Sequence, residues 1–104
     1  MEFLEVDNML RCSFFGRLDE NVCSGIEQSL LKRVSDFKQG RISVRLTFDL
    51  AEVVYISSAF LRICLMCYRT FGQNSFTITN VSDEIHHVFH ISGFSEIMNI
   101  ARAA

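Results

Sequence analysis

The sequence predicts an α/β domain, with one mixed, mostly parallel sheet of about four to five strands packed by about three to four helices. Three observations lead there. Short apolar or alternating segments take turns with segments of helical period, the pattern that builds parallel sheets through helical crossovers. The chain has 104 residues, the size of one domain, and residues 1–104 are read as a single one. Hydrophobic residues make up 49 % of it and ten residues are Phe, which is ample for one core.

Each element has a local reason. Residues 3–6 suit a short strand, and residues 10–15 a second with Leu10, Cys12 and Phe14 on one face. This pair supplies an antiparallel edge. Residues 16–19 offer turn chemistry. Residues 20–37 are helical, because Val22, Ile26, Leu30, Val34 and Phe37 recur at spacings of four, four, four and three. Asp19 can cap that helix by accepting a free first-turn N–H. Lys38 complements its C-terminal dipole, and Gly40 can take the left-handed conformation that stops it. Residues 42–48 alternate cleanly, with Ile42, Val44, Leu46 and Phe48 facing inward. Residues 49–52 are expected to form a loop and residues 53–56 to lead into the next element.

Residues 58–71 form a helix that is apolar nearly all round, and therefore largely buried. Arg62 and Arg69 interrupt it seven residues apart, so they share one exposed stripe. Gly72 ends it. Residues 76–79 are a further strand. Ser82 caps the next helix, Asp83 and Glu84 sit in its favourable first turn, and Ile85, Val88 and Phe89 form its apolar side. Gly93 closes that unit, and residues 97–100 are a short strand or a terminal helix.

Composition excludes several function classes. The net charge is −2 with both signs spread along the chain, so no basic patch invites nucleic acid. The longest apolar stretch, residues 59–68, is broken by Arg62 and bounded by Arg69, whereas a membrane span needs about 20 apolar residues. Direct membrane insertion is not expected. The acidic start Met1-Glu2-Phe3-Leu4-Glu5 lacks the basic region of a signal peptide, so the protein is read as cytoplasmic. The four cysteines are then expected to be reduced and buried.

No set of residues here spells an enzyme or a cofactor site. There is no glycine-rich phosphate loop. Asp49 and Glu52 lie near each other without a base or nucleophile partner. Cys64 and Cys67 have the redox spacing Cys-x-x-Cys, but a reactive pair sits at a helix start, where the dipole lowers the thiol pKa. These two fall inside a helix, which favours core packing. His86 and His90 share a helix face and mimic, with the two cysteines, a Cys₂His₂ zinc pattern. The 18-residue gap between the pairs holds a whole strand, so they are read as a polar face and not a metal site.

What stands out is Ile56-Ser57-Ser58-Ala59, two hydroxyls where a loop enters a buried helix. One reading is that Ser57 is an N-cap. Another is a phosphorylation site, since a phosphate at a helix start meets the positive end of its dipole.

The stretch Leu46-Thr47-Phe48-Asp49-Leu50, followed by Val53-Val54-Tyr55-Ile56-Ser57-Ser58-Ala59-Phe60-Leu61, resembles the STAS domain family. There an apolar strand ending near an Asp leads to Asp-Ser-Ser-Gly and a buried helix. Phe76-Thr77-Ile78-Thr79-Asn80-Val81-Ser82 is similar to the family's next strand and helix cap, and Ile91-Ser92-Gly93-Phe94 to its closing apolar-x-Gly-Leu. The resemblance covers residues 3–100. It implies a bacterial anti-sigma factor antagonist: a regulatory, non-enzymatic module that binds an anti-sigma factor or serine kinase and is switched by phosphorylation. The acceptor position is Ser58, with Ser57 as the alternative, and Ile56, Ser57, Ser58, Ala59, Phe60 and Arg62 are the expected partner-binding residues. Ile56 and Ala59 stand where the family has Asp and Gly. The alternative is therefore a constitutive STAS interaction subunit of a transporter, such as a lipid-transport ATPase, or of a signalling assembly.

Overall fold

Residues Met1–Ala104 are all described by the computed structural model. Strand β1 (Glu2–Val6) pairs antiparallel with β2 (Met9–Leu18). Helix α1 (Glu20–Lys38) crosses to β3 (Arg45–Ile56), α2 (Ser58–Phe71) to β4 (Phe76–Val81), and α3 (Asp83–Ile91) with a 3₁₀ turn (Phe94–Glu96) to β5 (Asn99–Arg102). The sheet order is β1-β2-β3-β4-β5, parallel from β2 onward. The predicted mixed α/β sheet is therefore what the chain forms.

The sequential order decides where the helices lie. Parallel crossovers are right-handed almost without exception, so three in one direction put all three helices on one face. Burial agrees. Leu10, Cys12, Phe14, Leu46, Phe48, Leu50, Phe76 and Ile78 are each no more than 1 % exposed. The alternating positions Arg11, Ser13, Thr47, Asp49, Thr77 and Thr79 are polar and line the other face. Four rings bind the helix side together. Phe14 and Phe48 meet edge-on at 4.9 Å, Phe48 and Phe76 at 5.0 Å, and Phe60 of α2 reaches Phe14 at 5.2 Å.

Several boundaries differ from the sequence reading. β2 does not turn at Gly16 but continues to Leu18 through a register shift, which the positive φ of Gly16 accommodates. β3 starts at Arg45, after Ser43 turns the chain with φ 60°, so Ile42 is 87 % exposed and not part of an inward face. Residues 49–52 are not a loop: they stay in β3, where a second irregularity sits between Ser13/Asp49 and Phe15/Glu52. On α1, Cys23 is buried and Val22 is 39 % exposed, one residue off the expected stripe. The end piece is a 3₁₀ turn followed by a strand. The capping predictions fare better. Asp19 Oδ1 accepts from the Val22 amide at 2.9 Å, and Ser82 Oγ from the Ile85 amide at 3.2 Å.

Candidate functional site

β3 ends at Ile56, and α2 begins two residues later at the carboxyl end of the sheet, where open α/β sheets present ligand-contacting loops. Ser57 occupies the N-cap position in extended conformation, but its hydroxyl does not cap. Instead Ser57 Oγ donates to the Leu18 carbonyl at 2.8 Å, and the Ser57 amide donates to the same oxygen at 3.0 Å. The expected capping role of Ser57 is thus replaced by a staple from the start of α2 to the end of β2. Cys23 Sγ lies 3.7 Å from the same carbonyl and 4.0 Å from Ser57 Oγ, so α1 also contributes to this staple. Only 8 % of Ser57 is exposed.

Ser58 is the opposite case. It is the first residue of α2, exposed, and its hydroxyl bonds no other group of the chain. The first-turn amides of α2 receive no side-chain cap, so the positive end of the helix dipole stands open beside it. Two open grooves meet at Ser58. One is lined by Asp19, Glu20, Asn21, Tyr55 and Ser57. The other, about 660 Å³, runs between α1 and α2 and is lined by Glu20, Ser24, Glu27, Ala59 and Arg62. Arg62 Nη2 donates to Glu27 Oε1 at 2.7 Å across this second groove.

The other predicted contact residues divide by burial. Ala59 is half-buried and Arg62 exposed, so both can face a partner. Ile56 and Phe60 are 5 % and 0 % exposed. They shape the turn from beneath and offer no surface in this conformation, because their side chains complete the core. Sequence reasoning missed Val54 and Arg17. Val54 is 67 % exposed and Tyr55 41 %, and the Arg17 guanidinium lies 4.3 Å from the Tyr55 ring centroid. The paired apolar residues 53 and 54 held a signal, since only one of two strand neighbours can face the core.

Carboxylates do flank Ser58, though not from position 56. Asp19 and Glu20, at the start of α1, line the same groove as Ser58. Buried Ile56 fills the position where the STAS pattern has its Asp.

The thiols are structural. Burial pushes the Cys12 and Cys67 thiols up to about 12, and Cys64 well above its ordinary value. A reactive Cys-x-x-Cys pair needs the reverse shift. The thiolate is the nucleophile, so Cys12, Cys64 and Cys67 should not react with an aromatic disulfide reagent near pH 8 until the chain unfolds. Thiolate formation favours the unfolded chain, whose thiols ionise near 9. Their contribution to stability should be complete below about pH 9 and lost as pH rises from there through about 12. A urea midpoint that held level across that range would contradict this.

On α3, His86 Nδ1 lies 3.3 Å from Arg102 Nη2, and Arg102 Nη1 lies 3.7 Å from Asp83. Desolvation and then the Arg102 charge hold the His86 pKa below its ordinary value. No group of three or more His, Cys, Asp or Glu side chains is arranged to hold a metal ion. No helix is long and apolar enough to cross a membrane. No protein-family model matches the chain, and no curated protein matches it significantly.

Proposed function

We propose that this chain is a non-enzymatic regulatory module that works by partner switching, as an anti-sigma factor antagonist of the STAS kind. The observation that carries the reading is the contrast at the turn. Ser57 is locked to Leu18, while Ser58 beside it is exposed and unbonded at an uncapped helix start. A kinase can reach one hydroxyl and not the other.

In the proposed cycle, the unphosphorylated turn docks an anti-sigma factor kinase through Ser58, Ala59 and Arg62. The kinase transfers the γ-phosphoryl group of ATP to Ser58 Oγ. The serine O–H bond and the terminal phosphoanhydride bond break, an O–P bond forms, and ADP and a proton leave. The product carries about −1.5 to −2 of new charge, held near the α2 amides, where a helix start tolerates it. That charge and bulk fall inside the docked surface and release the partner.

The test is incubation with ATP and a panel of purified anti-sigma factor kinases, followed by intact-mass measurement. One phosphate should be added, and none to Ser58→Ala. Ser58→Asp should weaken partner binding at least tenfold, about 1.4 kcal/mol. An unmodified mass, with binding indifferent to Ser58→Asp, would favour a constitutive interaction subunit such as that of a lipid-transport ATPase. One observation supports that second reading: buried Ile56 leaves the turn without a carboxylate of its own.

A further inference from the structure

We infer that a phosphate on Ser58 takes Arg62 away from Glu27 and so exchanges an ion pair between helices for one within α2. The inference rests on the phosphorylation reading above, and deepens it by naming what the phosphate does to this chain.

Ser58 and Arg62 are four residues apart on α2, so they sit on one helix face with Cβ atoms about 5–6 Å apart. The acidic partner at i and the basic partner at i+4 is the favourable order, because each then also complements the helix dipole. Both residues line the groove between α1 and α2, and Arg62 is the sole cation lining it. The other charges there are the carboxylates of Glu20 and Glu27.

In the unmodified chain Arg62 pairs with Glu27 at 2.7 Å, with the arginine side chain 60 % exposed and the glutamate 24 %. A pair that open to water contributes little and is readily exchanged. A phosphate offers three acceptor oxygens and up to twice the carboxylate charge, and a guanidinium binds it in bidentate fashion. It also meets repulsion from Asp19, Glu20 and Glu27, which a cation in the groove relieves further than the helix start alone. Arg17 is a rival, but its guanidinium is stacked on the Tyr55 ring at 4.3 Å and does not line this groove. Capture of Arg62 leaves Glu27 without its cation and removes the side-chain tie that spans the groove from α1 to α2. The surface that a partner meets then changes at Glu27 and Arg62 as well as at Ser58.

The test needs no kinase. Phosphoserine is installed at position 58 during translation, and its second ionisation is followed by phosphorus NMR. In the otherwise native chain this pKa should lie below its usual value of about 6. Arg62→Gln should raise it by about half a unit, a threefold loss in phosphate ionisation, within the range of an exposed pair. Glu27→Gln should lower it, because the competitor for Arg62 is gone. Arg17→Gln should leave it unchanged. The same pKa in the native and Arg62→Gln chains, or a rise only in Arg17→Gln, would overturn the exchange. Because the phosphate is placed directly, a chain that no kinase modifies still gives an answer. Conversely, a chain that is modified but shows no Arg62 effect retains the partner switch and loses the exchange.

Discussion

Replacing Phe60 with alanine is expected to destabilise the domain by about 3–5 kcal/mol, a large share of the roughly 5–15 kcal/mol that holds a domain folded. Phe60 is the third residue of α2 and is wholly buried. Its ring lies 5.2 Å from Phe14 on β2 and 6.1 Å from Phe48 on β3, so it locks the first turn of α2 onto those two strands. Truncation removes transfer energy and leaves a cavity among rigid rings that cannot collapse into it. Urea unfolding should show a lower midpoint with an unchanged slope. Phe60→Leu, which refills most of the space, should lose much less. It also separates two roles. If Phe60 supports the turn from beneath, the leucine variant keeps partner affinity while losing stability. A leucine variant of near-native stability that no longer bound its partner would restore Phe60 as a contact residue.

That distinction shows where the sequence was readable. The ends of α2 were legible because both signals are local: a serine pair at its start and Gly72, with φ 83°, after it. Asp19 and Ser82 were legible as caps for the same reason, since the amides they serve lie three residues away. The rotamer of Ser57 was not legible, because its acceptor, Leu18, lies 39 residues back. The period-two pattern that located β3 also extended it wrongly to Ile42, where Ser43 turns the chain. The same pattern failed beyond Asp49 because the register shift against β2 breaks the alternation at residues 50–52. Polar residues there resembled a loop, yet they belong on a sheet face that no helix covers. At Ile56 and Phe60 the motif position suggested partner contacts, but both side chains are apolar and the packing buries them.

Asp49→Ala should cost about 2 kcal/mol, although Asp49 touches neither the core nor Ser58. Its carboxylate is the knot of the open face. Oδ1 accepts from Asn80 Nδ2 on β4 at 3.0 Å and from the Ala51 amide at 3.0 Å, and Oδ2 accepts from Arg11 on β2. One side chain, 12 % exposed, thus ties the three central strands together and fixes the backbone where β3 shifts register. Removing it strands Asn80, which already sits at φ 58°, and leaves three donors seeking water. Partial exposure of Arg11 keeps the cost below that of a fully buried pair. Burial alone would raise the Asp49 pKa. The bonds from Asn80, the Ala51 amide and Arg11 outweigh that and hold it below the usual carboxylate value. The sign follows: a depressed folded pKa contributes stability that is present above the unfolded value of about 3.9 and lost as pH falls through the folded one. Urea midpoints between about pH 7 and pH 3 should therefore fall more steeply for the native chain than for Asp49→Asn, which keeps the shape without the charge. Equal slopes would mean that the Arg11 pair adds nothing beyond hydrogen bonding. A steeper native slope would make Asp49 an ionised anchor of the open face, bound to β2 and β4 beside the point where β3 shifts register.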